Sequence, residues 1–211
     1  MCSFLFGFGF LVVNATGLYI KCWCHNIYAG STTDKLDCKN STYIPAEEYS
    51  STALLSYTLI VSISSLGLAV GCLLSTFADK FGRLPVLIAT TIMCSLCYLG
   101  QFLAREFDQP WLMILCRAVV GVAGGIYETT NVVYIIEVLP DEWTFFAEAS
   151  FTFGNNMGLI LGLVSTFDVV FGTAKLWHYA FLVGLLMSLI AVVSFVLSGI
   201  ESIEHIALIS S

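Results

Sequence analysis

The sequence predicts an all-helical membrane protein, a bundle of six transmembrane helices in one domain over residues 1–211. Three observations predict it. Mean hydropathy is +0.89, and of 211 residues 58% are hydrophobic and 11% charged, more apolar surface than a soluble chain of this length can cover. The apolar runs are long and lack period-two alternation, so helices rather than a closed barrel satisfy the backbone in lipid. Finally, the charged run Ala78-Asp79-Lys80-Phe81-Gly82-Arg83 lies between two nearly uncharged segments. Each is about twenty residues long, enough to cross a core of ~30 Å at ~1.5 Å per residue.

The spans fall at approximately 4–20, 54–77, 85–103, 111–136, 149–170 and 177–197. The first, Phe4 to Ile20, is N-terminal and rich in Phe and Leu, but residues 2–6 carry no Lys or Arg. A signal peptide needs that basic n-region, so the segment reads as a span. The second covers Leu54 to Phe77, the third Pro85 to Leu103 and the fourth Trp111 to Ile136. Pro85 and Pro110 stand where helices begin, a position that tolerates a missing N–H. Pro140 and Gly199 stand where the fourth and sixth stop. The fifth covers Ala149 to Val170 and the sixth Trp177 to Leu197. The tail from Glu201 to Ser211 reads as a short interfacial helix.

A formal charge of −7 and the lack of a basic stripe exclude nucleic acid. Lipid is the expected surrounding, and no polybasic lipid-binding segment is present. Of eight cysteines, Cys72, Cys94, Cys97 and Cys116 sit within apolar runs and read as small hydrophobes. Cys22, Cys24 and Cys38 flank the polar loop of residues 24–52. Three cysteines allow at most one disulfide there, with the pairing open.

Asn40-Ser41-Thr42 in that loop is an N-glycosylation acceptor pattern, which places the loop outside the cytoplasm. Asn14-Ala15-Thr16 also matches but lies within a span. The positive-inside rule votes the other way, since Lys35, Lys39, Arg105 and Lys175 would then be outside against Lys80 and Arg83 inside.

The turn at residues 78–83 places Asp79 and Arg83 at the membrane face around Gly82, which lets two helices fold back closely. The run resembles the loop joining the second and third helices of the major facilitator superfamily, Gly-x-x-x-Asp-Arg-x-Gly-Arg-Arg. Asp79, Gly82 and Arg83 match, whereas Ser75, Lys80 and Leu84 depart from the pattern.

In the fourth span Arg117 and Glu128 are eleven residues apart, hence about 20° apart around a helix and about 16 Å along it. Gly121 and Gly124 share that stripe. Ionisable groups within a membrane face a wet cavity or a partner, so this face reads as a polar pathway or as half of an internal ion pair. Arg117 through Pro140 resembles the fourth helix of the organic cation and anion transporter family within that superfamily, through its Arg, Gly cluster, Thr pair and Glu. By that resemblance Glu137 would join a cytoplasmic charge network with Asp79 and Arg83. The family's basic residues after this helix are absent, and its first extracellular loop is much longer.

Gly154, Gly158 and Gly162 in the fifth span form a doubled small-xxx-small stripe suited to close helix packing. Asn155 and Asn156 beside it need partners or water in hydrocarbon, as a cavity wall or as interhelical bonds. His178, between Trp177 and Tyr179, reads as part of an interfacial belt. No metal-ligand spacing, catalytic triad, phosphate loop or dinucleotide fingerprint occurs, so neither a cofactor nor a metal nor enzymatic activity is expected.

The resemblance implies one half of a major facilitator transporter, carrying an organic ion or similar small solute by alternating access in the plasma membrane. Alternating access needs a second six-helix half. The alternatives are a non-transporting protein that assembles with a full transporter, and an oligomeric channel.

Overall fold

The computed structural model describes residues 2–28, 49–138, 140–167 and 169–209, and among them there are helices and no strands. Helix α1, Cys2–Ala15, and helix α2, Gly17–Tyr28, meet at Thr16 with a 59° bend. The Thr16 hydroxyl donates to the Val12 carbonyl at 2.6 Å, the back-bonding that bends helices. Helix α3, Ser51–Leu74, is capped by Ser50, whose hydroxyl accepts from the Ala53 N–H. A 3₁₀ turn, Ser75–Phe77, and the four-residue α4, Ala78–Phe81, lead into α5, Arg83–Glu106. Gly82 between them has φ +88°, in the left-handed region that favours glycine. Then follow α6, Pro110–Val138, and α7, Asp141–Ser165. A 3₁₀ turn, Trp177–Tyr179, opens α8, Ala180–Ile209.

Several sequence-read boundaries move. The polar loop was placed from residue 24, but α2 continues to Tyr28 with Cys22, Trp23, Cys24 and His25 buried. Asn40 and Cys38 lie outside the described residues. Cys22 is disulfide-bonded while Cys24 is free. Helix α7 starts at Asp141 rather than Ala149, because charges that bar a segment from lipid do not bar it from a helix. The sixth span and residues 201–209 of the separately read tail are one continuous helix.

Among the described residues four helices are long and apolar enough to cross a membrane: α3, α5, α6 and the segment Trp177–Leu197. The bent α1–α2 pair makes a fifth if it is one span. Helix α7 does not reach that standard, diluted by Glu148, Asn155 and Asn156, so six crossings are not established.

The principal packings are α3 on α6, α1 on α7, α5 on α6, α5 on α8, α2 on α3 and α1 on α8. Exchanging α1, α3 and α5 for α6, α7 and α8 in that order maps five of these six packings onto one another. The α1–α7 contact becomes α6–α3, α5–α6 becomes α8–α1, and α5–α8 becomes itself. Helices α1, α3 and α5 thus pack on α6, α7 and α8 in a symmetric pattern that hydropathy alone does not expose. Leu55, Leu66, Val70 and Leu73 of α3 project outward, as side chains solvated by lipid do.

Close approach of α3 and α6 rests on four glycines. A Cβ on Gly67 would strike the Ala118 carbonyl, and one on Gly71 the Val122 carbonyl. On the other helix, Gly121 meets the Ser64 carbonyl and Gly125 the Leu68 carbonyl. The same logic joins α1 to α7, with Gly158 against the Phe4 carbonyl, Gly154 against the Ser3 hydroxyl and Gly162 against Phe8. Gly124 instead faces the Phe6 ring.

Candidate functional site

A cavity of about 430 Å³ lies where α1, α3, α5, α6 and α7 converge. Phe6 and Phe10 give it aromatic wall, Ser64, Ser65 and Tyr98 give hydroxyls, and Arg117, Glu128 and Asn155 give charge and amide. Volume and lining fit a small-molecule site, for which roughly 300–1,000 Å³ is usual.

Arg117 is 3% exposed. Its guanidinium donates from Nη1 to the Gly9 carbonyl at 3.1 Å, from Nη2 to the Ser64 hydroxyl at 3.1 Å and from Nε to the Ile60 carbonyl at 3.4 Å. Helices α1, α3 and α6 are therefore tied through one side chain. Among the described residues no carboxylate pairs with it. Gly121 brings the α3 backbone at Ser64 close enough for the fork to reach across to it.

Glu128 is half-buried, lines the cavity and makes no hydrogen bond among the described residues. Tyr98 is 1% exposed and donates to the Leu5 carbonyl at 2.8 Å. Its ring fits between Gly9 of α1 and Gly184 of α8.

Arg117, Gly121, Glu128 and Asn155 thus meet at one cavity. Asn156 does not: it is exposed, and its amide donates to the Thr152 carbonyl of its own helix at 3.1 Å. At the end of the bundle nearest the 78–83 turn, Arg83 and Glu137 form a two-pronged ion pair, Nε–Oε2 3.0 Å and Nη2–Oε1 2.8 Å. The Asp79 side chain lies outside the described residues. Ser64, Ser65, Tyr98, Phe6 and Phe10 escaped the sequence reading. The hydroxyl-rich Ser62-Ile63-Ser64-Ser65 run inside an apolar span was the available signal.

At the opposite end, His178 is buried against Phe102 and Tyr179, with Nε2 2.9 Å from Glu106 Oε1. Nearby, Asp108 has φ +51°, a conformation Asp tolerates, and accepts from Trp23 Nε1 and Arg105 Nη1, each at 2.7 Å. These contacts fasten the α5–α6 turn to α2.

Residues 1–198 match the family described as Sugar (and other) transporter. Hexose transporter 1 of Toxoplasma gondii is 31% identical over 168 residues, covering 76% of this chain and 26% of that protein. The chain therefore spans about a quarter of the length of the relative it matches.

Proposed function

We propose that this chain, which belongs to the Sugar (and other) transporter family, builds one wall of a transmembrane pathway for a sugar-like solute. The family and the long apolar helices make it an integral membrane protein, and the family supports transport as the activity of the whole protein.

The cavity is the observation that carries the reading. A hexose presents hydroxyls around its rim and apolar C–H faces above and below. Phe6 and Phe10 suit the faces. Asn155 supplies an amide donor and acceptor, Ser64 and Tyr98 supply hydroxyl oxygens whose protons are already given to carbonyls, and Glu128 supplies carboxylate oxygens free to accept. Arg117 is committed to carbonyls and a hydroxyl, which suits it to shaping the wall. The Toxoplasma relative is named for hexoses, which favours this class of solute over the organic ion expected from the fourth helix. The organic-ion reading retains one specific support, the unpaired Glu128 carboxylate facing the cavity.

Movement across the membrane would use a second six-helix half rocking against this one around the shared cavity. Residence in the plasma membrane is part of the same proposal.

The test is solute binding by the purified chain in lipid nanodiscs, followed with tritiated D-glucose. Saturable binding displaced by unlabelled D-glucose, but not by L-glucose, and lost in Asn155→Ala supports the proposal. Preferential binding of tetraethylammonium or p-aminohippurate would overturn the sugar assignment. Ion currents from the same preparation in planar bilayers would overturn the transporter in favour of a channel.

A further inference from the structure

Behind the cavity wall, Cys97 of α5 and Cys116 of α6 meet across the seam between their helices. Each is 8% exposed, and both are free. The two side chains pack together in one small buried cluster. Apolar side chains of Val119, Val120 and Leu112 surround the pair. The Cys116 sulfur is seated on Gly100 of α5, where a Cβ would come within 2.6 Å of it. The missing side chain at Gly100 is what lets the two helices bring these thiols together.

We propose that Cys97 and Cys116 are a reversible redox site, closed to a disulfide by a small neutral hydroperoxide. The chemistry balances in two steps. The Cys116 sulfur attacks one oxygen of hydrogen peroxide, its own proton passing to the departing oxygen. The O–O bond breaks, giving a sulfenic acid and one water. The Cys97 sulfur then attacks the sulfenyl sulfur, forming the S–S bond and expelling the second water. Two thiols are oxidised and one peroxide is reduced.

The apolar surroundings tolerate both end states, because dithiol and disulfide are each uncharged. They also select the oxidant, since a charged reagent would have to shed its hydration to arrive. Cys97 directly precedes Tyr98, and Cys116 directly precedes Arg117, both of which line the cavity. Closing the bond pins those two cavity residues to one another, whatever solute the cavity takes.

The test exposes the intact chain in lipid nanodiscs to hydrogen peroxide. It then alkylates under denaturing conditions with N-ethylmaleimide and maps cysteines by non-reducing mass spectrometry. The expected result is loss of both adducts at Cys97 and Cys116, a linked peptide lighter by two hydrogens, and full reversal by dithiothreitol. Reduced and oxidised samples are the same chain, so folding does not confound the comparison. Cys94→Ser should leave the linkage intact. Full alkylation of both sites after Cys72 has already been oxidised would overturn the proposal, as would pairing of either with Cys94.

Discussion

Arg83 and Glu137 clasp the start of α5 to the end of α6, both guanidinium contacts lying at 3.0 Å or less. The fork geometry matters more than the charge, because the pair is half in water and 24% and 50% exposed. Arg83→Lys keeps the charge and loses the second prong. The expected outcome is little change in melting temperature but faster amide exchange at residues 87–90, the first of α5 bonded within the helix, and in the last turn of α6. Swapping both residues, Arg83→Glu with Glu137→Arg, should recover part of the protection that either single reversal loses. Unaltered exchange in the single variants would show that the clasp holds nothing.

The α3–α6 seam should be the least tolerant part of the bundle. A side chain at Gly71 or Gly121 would meet backbone, which cannot move aside as a flexible side chain can. Gly121→Val should cost at least about 1–3 kcal/mol by forcing the helices apart. Leu73→Ala, on a side chain 77% exposed on the outer face, should stay within about 0.5 kcal/mol. Thermal unfolding in one detergent, followed by circular dichroism, ranks the two. Equal losses would remove the claim that the seam is set by glycines.

Much of this was readable in advance, and the misses have physical reasons. Arg117 and Glu128 were found because a charge in hydrocarbon demands an explanation, and a helix fixes their relative angle. Gly67 and Gly71 carry the same four-residue spacing as Gly121 and Gly125, but nothing charged drew notice to them. Asn155 and Asn156 are chemically identical neighbours about 100° apart around α7, so only the rotation of that helix decides which one meets the cavity. That rotation is set by Gly154, Gly158 and Gly162 against α1, a tertiary fact. The α7 start eluded a reading tuned to lipid, since Asp141 and Glu142 are good first-turn residues whatever the solvent.

Arg117→Met should separate stability from binding. A buried cation without a carboxylate is costly to hold, so removing it relieves desolvation while freeing two carbonyls and a hydroxyl. The two effects are of similar size, and the net change should lie within about 2 kcal/mol of zero. Solute binding should fall at least tenfold, because the wall of the cavity loses its shape. A variant that melts far lower yet binds normally would recast Arg117 as a structural strut alone.

Tyr98 and Gly9 should show coupling of a specific sign. The Tyr98 hydroxyl donates to the Leu5 carbonyl at 2.8 Å and lies where a Cβ on Gly9 would stand. Tyr98→Phe leaves that carbonyl short of a partner, worth about 0.5–1.5 kcal/mol. Gly9→Ala in the native background drives a methyl into the hydroxyl and should cost about 1–3 kcal/mol, since Tyr98 is wedged against Gly184 and cannot retreat. In the double variant the methyl enters the space the hydroxyl vacated, with the ring carbon behind it 3.2 Å away. The double variant should therefore lose less than the sum of the singles, a coupling of at least about 0.5 kcal/mol in a double-mutant cycle. Chemical denaturation in a fixed micelle supplies all four corners. Strict additivity would mean that α1 yields at Gly9, and that the Tyr98 wedge does not set the spacing between α1, α5 and α8.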